Sequence, residues 1–417
     1  MGISQLQTLI LYFSLFVSLF FEIFLLITYL EVKDEVKFEK EHLGKDIKNF
    51  PSVSIIVPCY NEEKTLAGTV DSLLALDYPK GKLSIILVDD GSTDSTKEVF
   101  KQFENNSQIL AFSKENGGKH TALNFALEKI NTDLVGCLDA DSFVSPDALR
   151  KIIPFFDDET IMAVTPSIKV HEPKTVLQYV QKVEYNWGIF LRRMLSSIGA
   201  LYVTPGPFSI FRTQVFRDLG GYKKAHHTED MELALRMQKN RYKIVNSPGA
   251  HVYTVTPENF KKLYTQRVRW TYGFLNNAVD YKEMYFNKKY GHIGFFILPI
   301  ATMSIFSTLY AAANFVWHTM TKGFTALTKY QSVGFEWKLP SFSLDWFFFN
   351  TGLISVLTIS VAAITIILLF IAIRLAEGRI KLGKDIFYYL TIYIVIVPFW
   401  IAKALFNTVF KRGISWR

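Results

Sequence analysis

Leu134-Val135-Gly136-Cys137-Leu138-Asp139-Ala140-Asp141 is an apolar run that stops on two carboxylates one residue apart. The uncharged part suits a buried strand, and in an extended segment Asp139 and Asp141 point to the same side. Working outward, Val53-Ser54-Ile55-Ile56-Val57-Pro58, Leu83 to Val88 and Ile109 to Phe112 are further strand-like runs. Between them lie stretches that read as helices: Glu62 to Leu76, with Leu66, Val70, Leu73 and Leu74 at helical spacing, Ser95 to Phe103, and one opening near Lys119. This alternation predicts an α/β domain with a mostly parallel, helix-covered sheet. Ligands of such sheets sit at the C-terminal ends of the strands. Tyr60-Asn61, Asp89-Asp90, Asn116-Gly117-Gly118-Lys119 and Asp139-Ala140-Asp141 all follow strand ends, and that shared location outweighs any single motif.

Each cluster has a structural and a chemical reading. Asp139 and Asp141 could be a surface turn, or could hold Mg²⁺ or Mn²⁺ that neutralises a diphosphate. Asp89-Asp90-Gly91-Ser92-Thr93-Asp94 could cap the Ser95 helix, or supply a carboxylate to a uracil N–H or ribose hydroxyl. The glycines before Lys119 could be a helix-entry turn, or could let backbone approach a phosphate with Lys119 as a point charge. Thr228-Glu229-Asp230 opens a helix running to Asn240. Thr228 suits its N-cap, and Asp230 suits a general base. Upstream, Thr204-Pro205-Gly206-Pro207-Phe208-Ser209 is a turn-rich segment that could shape an acceptor mouth.

In Gln266-Arg267-Val268-Arg269-Trp270 the helix period puts Gln266, Arg269 and Trp270 on one face. This helix could be a basic amphipathic one on a membrane surface, with Phe260, Leu263 and Tyr264 toward lipid. It could also bring an Arg to a diphosphate and a Trp beneath a sugar ring. The order and spacing of all the clusters suggest sugar transfer from a nucleotide sugar at a membrane.

Composition agrees with a membrane protein. Of 417 residues 49% are hydrophobic and 15% aromatic. The net charge of +8 comes with no Arg/Lys-rich arm and no zinc spacing, so anionic lipid rather than nucleic acid is the expected counterpart. Cys59 and Cys137 fall in strand-like runs and read as buried thiols of a reducing compartment.

Leu6 to Leu30 is long enough to span a bilayer of about 30 Å. It has neither the basic flank nor the cleavage site of a signal peptide. Glu22 within it suits a functional or a helix-packing role. Lys33, Lys37, Lys40, Lys45 and Lys48 follow and predict a cytoplasmic catalytic region. His292 to Trp317, Trp346 to Ile373 and Ile386 to Phe410 are three further candidate spans, with Trp317, Trp346 and Trp400 as interface anchors. Basic residues flank the last one on both sides: Arg374, Arg379, Lys381 and Lys384 before it, Lys411, Arg412 and Arg417 after it. A single crossing cannot place both groups inside, and Pro398 leaves a re-entrant hairpin open. The expected organisation is a transmembrane helix over 1–31, a linker over 32–50, a catalytic domain over 51–256, interface helices over 257–291 and about three spans over 292–417.

The set Val57-Pro58-Cys59-Tyr60-Asn61-Glu62, Asp89-Asp90-Gly91-Ser92, Lys119, Asp139-Ala140-Asp141, Thr228-Glu229-Asp230 and Gln266-Arg267-Val268-Arg269-Trp270 resembles membrane-integrated family 2 glycosyltransferases. That group includes hyaluronan, chitin, cellulose and poly-N-acetylglucosamine synthases, and the likeness spans about Ser52 to Gly273. It implies a GT-A (Rossmann-like) fold, an inverting mechanism and a UDP-sugar donor. It places Tyr60, Glu62 and Asp90 at the nucleotide, Asp141 at the metal and Asp230 as the base. The donor set so implied is Pro58, Tyr60, Asn61, Glu62, Asp89, Asp90, Lys119, Asp139, Gln266, Arg267 and Arg269. Glu229 joins Asp230 as catalytic, and Thr228 and Trp270 face the acceptor. The acceptor is then a growing glycan or a lipid-linked one. The alternative is single transfer to a membrane lipid such as a polyprenyl phosphate or a glycolipid. Four spans are fewer than the larger synthases carry. The tail Arg412-Gly413-Ile414-Ser415-Trp416-Arg417 is similar to a Trp/Arg tail near the active site of some members.

Overall fold

The four apolar runs form adjacent parallel strands: β1 (Val53–Cys59), β2 (Leu83–Asp90), β3 (Ile109–Lys114) and β4 (Leu134–Cys137), in the order β3-β2-β1-β4. The computed structural model describes residues 3–42, 47–333, 352–381 and 383–413. Burial explains the strand composition. β1 and β2 are almost wholly buried; β1 is apolar but for Ser54, and β2 is apolar through its middle and ends on Asp89 and Asp90, as strands covered on both faces and open at one end must be. β3 lies at the edge and alternates exposure.

The sheet continues with β5 (Ser142–Val144), β6 (Ile161–Val170), β7 (Ile210–Arg212) and β8 (Lys243–Thr254), in the full order β3-β2-β1-β4-β7-β6-β8-β5. Four of the seven neighbouring pairs are parallel; β4–β7, β7–β6 and β8–β5 are antiparallel. The sheet is thus mixed but mostly parallel. In β8, Ser247-Pro248-Gly249 coincides with a shift of register against β6, where proline cannot donate to the ladder.

Helices fill the connections between strands: α2 (Leu66–Leu74), α3 (Thr96–Lys101), α4 (Lys119–Leu127), α5 (Ala148–Ile152), α6 (Val176–Ser197), α7 (Gln214–Leu219) and α8 (Glu229–Lys239); α9 (Phe260–Asp280) follows the last strand. α2 starts at Leu66, later than its periodicity suggests; the Glu62 N–H donates to Thr96 Oγ1 at 2.9 Å and the Glu62 carbonyl accepts from Leu66 N at 3.1 Å. Ser95 does not cap α3; Asp94 Oδ1 does, accepting from Thr96 N at 3.0 Å. Thr175 and Gln178 form a capping box at the start of α6, and Asn259 caps α9. Leu263, expected toward lipid, is buried, whereas Phe260 is exposed.

The apolar helices are α1 (Ile3–His42), α10 (Leu298–Val333), α11 (Leu353–Glu377), α12 (Lys384–Tyr388) and α13 (Ile394–Val409). Among the described residues four helical stretches are long and apolar enough to cross a membrane: Gln5–Lys37, Ile293–Ser332, Leu353–Glu377 and Lys384–Val409. Residues 346–351, including Trp346, lie outside the described residues.

The chain divides into two units, Met1–Leu26 with Ile300–Leu368, and Ile27–Pro299 with Leu369–Arg417. In the first, Thr365 Oγ1 donates to Glu22, which favours the helix-packing role of that acid. In the second, α12 and α13 pack on α6 and α9. No hairpin forms at Pro398. The helix continues through it, although proline has no N–H to donate, and a π turn at Tyr389–Tyr393 lies just upstream.

Gly136 is closely enclosed within the sheet. A Cβ there would lie 2.4 Å from Ile210 Cδ1 and 2.8 Å from Ile55 Cδ1. Gly136→Ala is therefore expected to lower the unfolding free energy by about 1–3 kcal/mol through overpacking. Chemical denaturation of the purified chain measures this.

Candidate active site

Strand β4 delivers Asp139 and Asp141 to one cavity of about 480 Å³. Lys119, at the start of α4, bonds Asp139 Oδ1 at 2.6 Å and lies 3.5 Å from Glu229. Burial works against the Lys119 charge, but Asp139 and Glu229 outweigh it and raise its pKa. Asp141 has no such cation beside it. Enclosure, then the charges of Asp139 and Glu62, push its pKa up to about 7. Gly206 makes this arrangement possible, since a Cβ there would lie 2.9 Å from Lys119 Nζ and 3.0 Å from Asp139 Oδ1. The turn-rich segment 204–209 thus supports the acids directly.

The second acidic cluster is held by strain. Ala225, His226 and His227 all have positive φ, at 38°, 54° and 67°. Thr228 does not cap α8. Its Oγ1 donates to Ala225 O at 3.1 Å and accepts from Asn277 Nδ2 at 2.9 Å. Gly273 on α9 leaves the room, for a Cβ there would lie 2.3 Å from the Thr228 side chain. Asp230 sits at the cavity wall, and Thr204 Oγ1 donates to its backbone carbonyl at 2.9 Å. Enclosure and then Glu229 push the Asp230 pKa up to about 6, with Lys119 opposing.

Helix α9 closes the cavity with Gln266, Arg269 and Trp270, the three residues the helix period places together. Arg269 Nη1 donates to His227 O at 3.0 Å and so braces the strained loop. Arg267 turns the other way. It is buried, it bonds Glu184 of α6 at 2.7 Å and Gln266 Oε1 at 2.7 Å, and its guanidinium stacks 4.2 Å from the Trp270 ring centre. Expected to meet a donor, Arg267 is engaged on three sides and is not among the residues that line this cavity.

Pro58, Tyr60, Asn61, Glu62, Asp89 and Asp90 gather at the ends of β1 and β2 and do not line this cavity. Asn61 has φ 56°, and its Oδ1 accepts from Thr93 N at 2.8 Å. Asp89 Oδ1 accepts from Ser92 N at 2.9 Å. Asp90 takes Lys114 Nζ at 2.6 Å and the N–H groups of Gly117 and Gly118 at 3.1 and 2.8 Å. The glycine loop before Lys119 therefore gives the N–H groups of Gly117 and Gly118 to Asp90. Glu62 is the link between the two groups, since its charge acts on Asp141. A larger hollow of about 1080 Å³ around Lys223, His226 and Asp280 contains none of Asp139, Asp141 and Asp230.

Sequence reasoning missed the α6 wall, with Glu184, Tyr185, Trp187 and Arg192, and Tyr393 from the π turn. The Thr175-x-x-Gln178 capping box marks the helix, but nothing local shows that it faces a cavity. Tyr393 donates its hydroxyl to Glu184.

The Asp139–Asp141 pair fits a hard divalent cation: both are oxygen donors in one cavity, and among the described residues no ion pair engages Asp141. Among the described residues no group of three or more His, Cys, Asp or Glu side chains could hold such an ion alone. Phosphate oxygens and water would complete its shell.

Glu184→Ala leaves Arg267 buried without its counter-charge and is expected to cost about 3–5 kcal/mol of stability. Glu184→Gln keeps a hydrogen-bond acceptor and should cost less. Thermal unfolding of both variants decides this; equal, negligible shifts would show that the pair does not tie α6 to α9.

Residues 51–273 match the family described as glycosyltransferase like family 2. The chain is 33% identical over 231 residues to a poly-β-1,6-N-acetyl-D-glucosamine synthase of Staphylococcus aureus, covering 55% of this chain and 56% of the relative. It is 31% identical over 251 residues to the synthase of the same name from Staphylococcus epidermidis, covering 59% and 60%. These matches span less than two thirds of the relatives' own length. In fold it is similar to the mannosyltransferase PcManGT of Pyrobaculum calidifontis, solved with GDP-Man and Mn²⁺, with a TM-score of 0.59 at 17% identity over 96% of this chain and 99% of that one. The strand-end acids, the Thr-Glu-Asp loop and the Gln-x-x-Arg-Trp helix are thus carried on a GT-A-like sheet, and the chain belongs to the family 2 glycosyltransferases.

Proposed function

We propose that the chain is an inverting glycosyltransferase that moves a sugar from a UDP-sugar to a growing glycan or lipid-linked acceptor at the cytoplasmic face of a membrane. The observation that carries this reading is the placement of Asp230, with its pKa raised to about 6, in one cavity with Asp139, Asp141 and Trp270. The names of the two relatives favour N-acetylglucosamine as the sugar and polymer extension as the outcome. Tyr393, from a strongly apolar helix, lines the same cavity and keeps single transfer to a membrane lipid as a second reading. Product length on a gel separates the two.

On this reading the acceptor sugar stacks on Trp270 and turns one hydroxyl to Asp230. Asp230 takes the proton as that oxygen attacks the anomeric carbon. The bond to the diphosphate breaks, UDP leaves with the electron pair, and the configuration inverts. Mg²⁺ or Mn²⁺ held by Asp139 and Asp141 would neutralise the departing diphosphate. Glu229 keeps Lys119 near Asp139 and raises the pKa of Asp230.

A surface position for α12 and α13 also removes the topological conflict. Helices lying along the catalytic domain, as their packing on α6 and α9 favours, leave Arg374, Arg379, Lys381 and Lys384 on the same side as Lys411 and Arg412. Of the expected Trp/Arg tail, residues 414–417 lie outside the described residues.

Asp230→Asn keeps the side-chain shape but cannot accept the proton. Transfer is expected to fall about 10²- to 10⁴-fold with UDP binding retained. In the wild-type chain kcat/KM should rise with pH to a plateau above about 6, as Asp230 loses its proton. A pH–rate profile of UDP release, together with a UDP titration, checks both; near-normal turnover by the variant would remove Asp230 from the role.

The raised pKa of Asp141 stabilises the fold at low pH, and that contribution is lost as pH rises through about 7. Mn²⁺ competes with this proton, so the metal should raise the unfolding temperature more at pH 8 than at pH 5. Asp141→Asn should abolish the difference. Equal shifts at both pH values, or a shift surviving in the variant, would place the metal elsewhere.

A further inference from the structure

Helix α6 carries two adjacent arginines with different surroundings. Arg193 bonds Glu39 at 2.9 Å and lies within 3.8 Å of Glu35. Arg192, about 100° further round the helix, lines the cavity that holds Asp141 and Asp230. Its Nε and Nη2 are shut off from solvent, and among the described residues neither meets a hydrogen-bond acceptor. Tyr185 and Tyr202 flank it.

The other cations of this wall are engaged. Lys119 bonds Asp139, Arg269 bonds His227 O, and Arg267 behind them bonds Glu184. A shielded guanidinium without a counter-charge is costly unless a ligand supplies one. Burial lowers the Arg192 pKa to about 10, which still leaves it protonated at neutral pH. A neutral sugar would leave that charge uncompensated, whereas the planar fork of an arginine matches two phosphate oxygens.

We propose that Arg192 is a binding residue for a phosphate group of a ligand in this cavity. The proposal rests on the sugar-transfer reading. The phosphate has two possible sources, the diphosphate of the donor and the phosphate headgroup of a lipid-linked acceptor.

The full chain in lipid nanodiscs tests this with matched probes. UDP and uridine differ in the diphosphate; polyprenyl phosphate and the polyprenol of equal length differ in the phosphate. Calorimetry measures nucleotide binding to the wild type, Arg192→Gln and Arg192→Lys. Labelling of wild-type Arg192 with phenylglyoxal, located by peptide mass spectrometry, measures protection by each probe and needs no variant to fold.

If the donor is the source, Arg192→Gln should reduce the preference for UDP over uridine by about 10- to 100-fold, the loss expected for a charge-assisted bidentate contact. Arg192→Lys should retain part of it, and UDP but not uridine should slow the labelling. If the lipid is the source, nucleotide binding should be unchanged, and polyprenyl phosphate but not polyprenol should slow the labelling. Unchanged UDP preference together with equal labelling under all four probes overturns the proposal. A wild-type chain that binds no UDP would instead overturn the UDP-sugar reading, and the lipid pair would still judge Arg192.

Discussion

Like charges held at close range are the constraint on which the rest of the site depends. Asp139, Asp141, Glu184, Glu229 and Asp230 all face one cavity of about 480 Å³. Carboxylates gathered in a shielded space repel one another and lose hydration, so each must find a cation or keep its proton. Lys119 answers for Asp139 and Glu229, and Arg267 for Glu184. Among the described residues Asp141 and Asp230 form no ion pair of that kind, and burial outweighs the more distant cations, so their pKa values rise to about 7 and about 6. On the proposed reading Asp141 is thereby left an oxygen for a cation, beside Asp139, and Asp230 an oxygen for a proton.

The backbone that holds these groups is itself under constraint. Ala225, His226 and His227 occupy the left-handed region in succession, and the segment persists because Thr228 is bonded on one side to Ala225 and on the other to Asn277 of α9. Arg269 adds a bond to His227 O. The same helix α9 therefore braces the loop that carries Asp230 and presents Trp270 beside it. Gly273 permits this contact and Gly206 permits the one at Asp139, both by lacking a Cβ. The Glu184–Arg267 pair extends the brace to α6, and Tyr393 ties the apolar C-terminal helix into the same group.

The half of the fold that repeats locally was legible in the residues. β1, β2 and β4 are short buried runs, β3 is a partly exposed edge strand, and each pattern reports its own burial. The strand-end clusters followed from that, and so did the sharing of one helix face by Gln266, Arg269 and Trp270. The half built from β5, β6, β7 and β8 was not legible. β5 and β7 have three residues each, too few to show a period, and β8 is interrupted by Ser247-Pro248-Gly249. α6 was missed although its capping box is plain, because a helix boundary carries no information about what the helix faces.

The amino-acid order by itself determined which groups could do chemistry and that they stand at strand ends, since periodicity and turn residues act over a few positions. It also marked four apolar stretches, because hydropathy is a property of each residue. Only the tertiary structure decided which groups share a cavity and which are engaged elsewhere. Arg267 and Arg269 are two residues apart, yet one is buried against Glu184 and the other braces the Asp230 loop. Asp90 and Asp139 stand at or just past the ends of the two strands that flank β1, yet one binds a glycine loop and the other faces the cavity. These differences arise from partners 20 to 83 positions away. Burial and charge pairing act through space, and no local pattern records them.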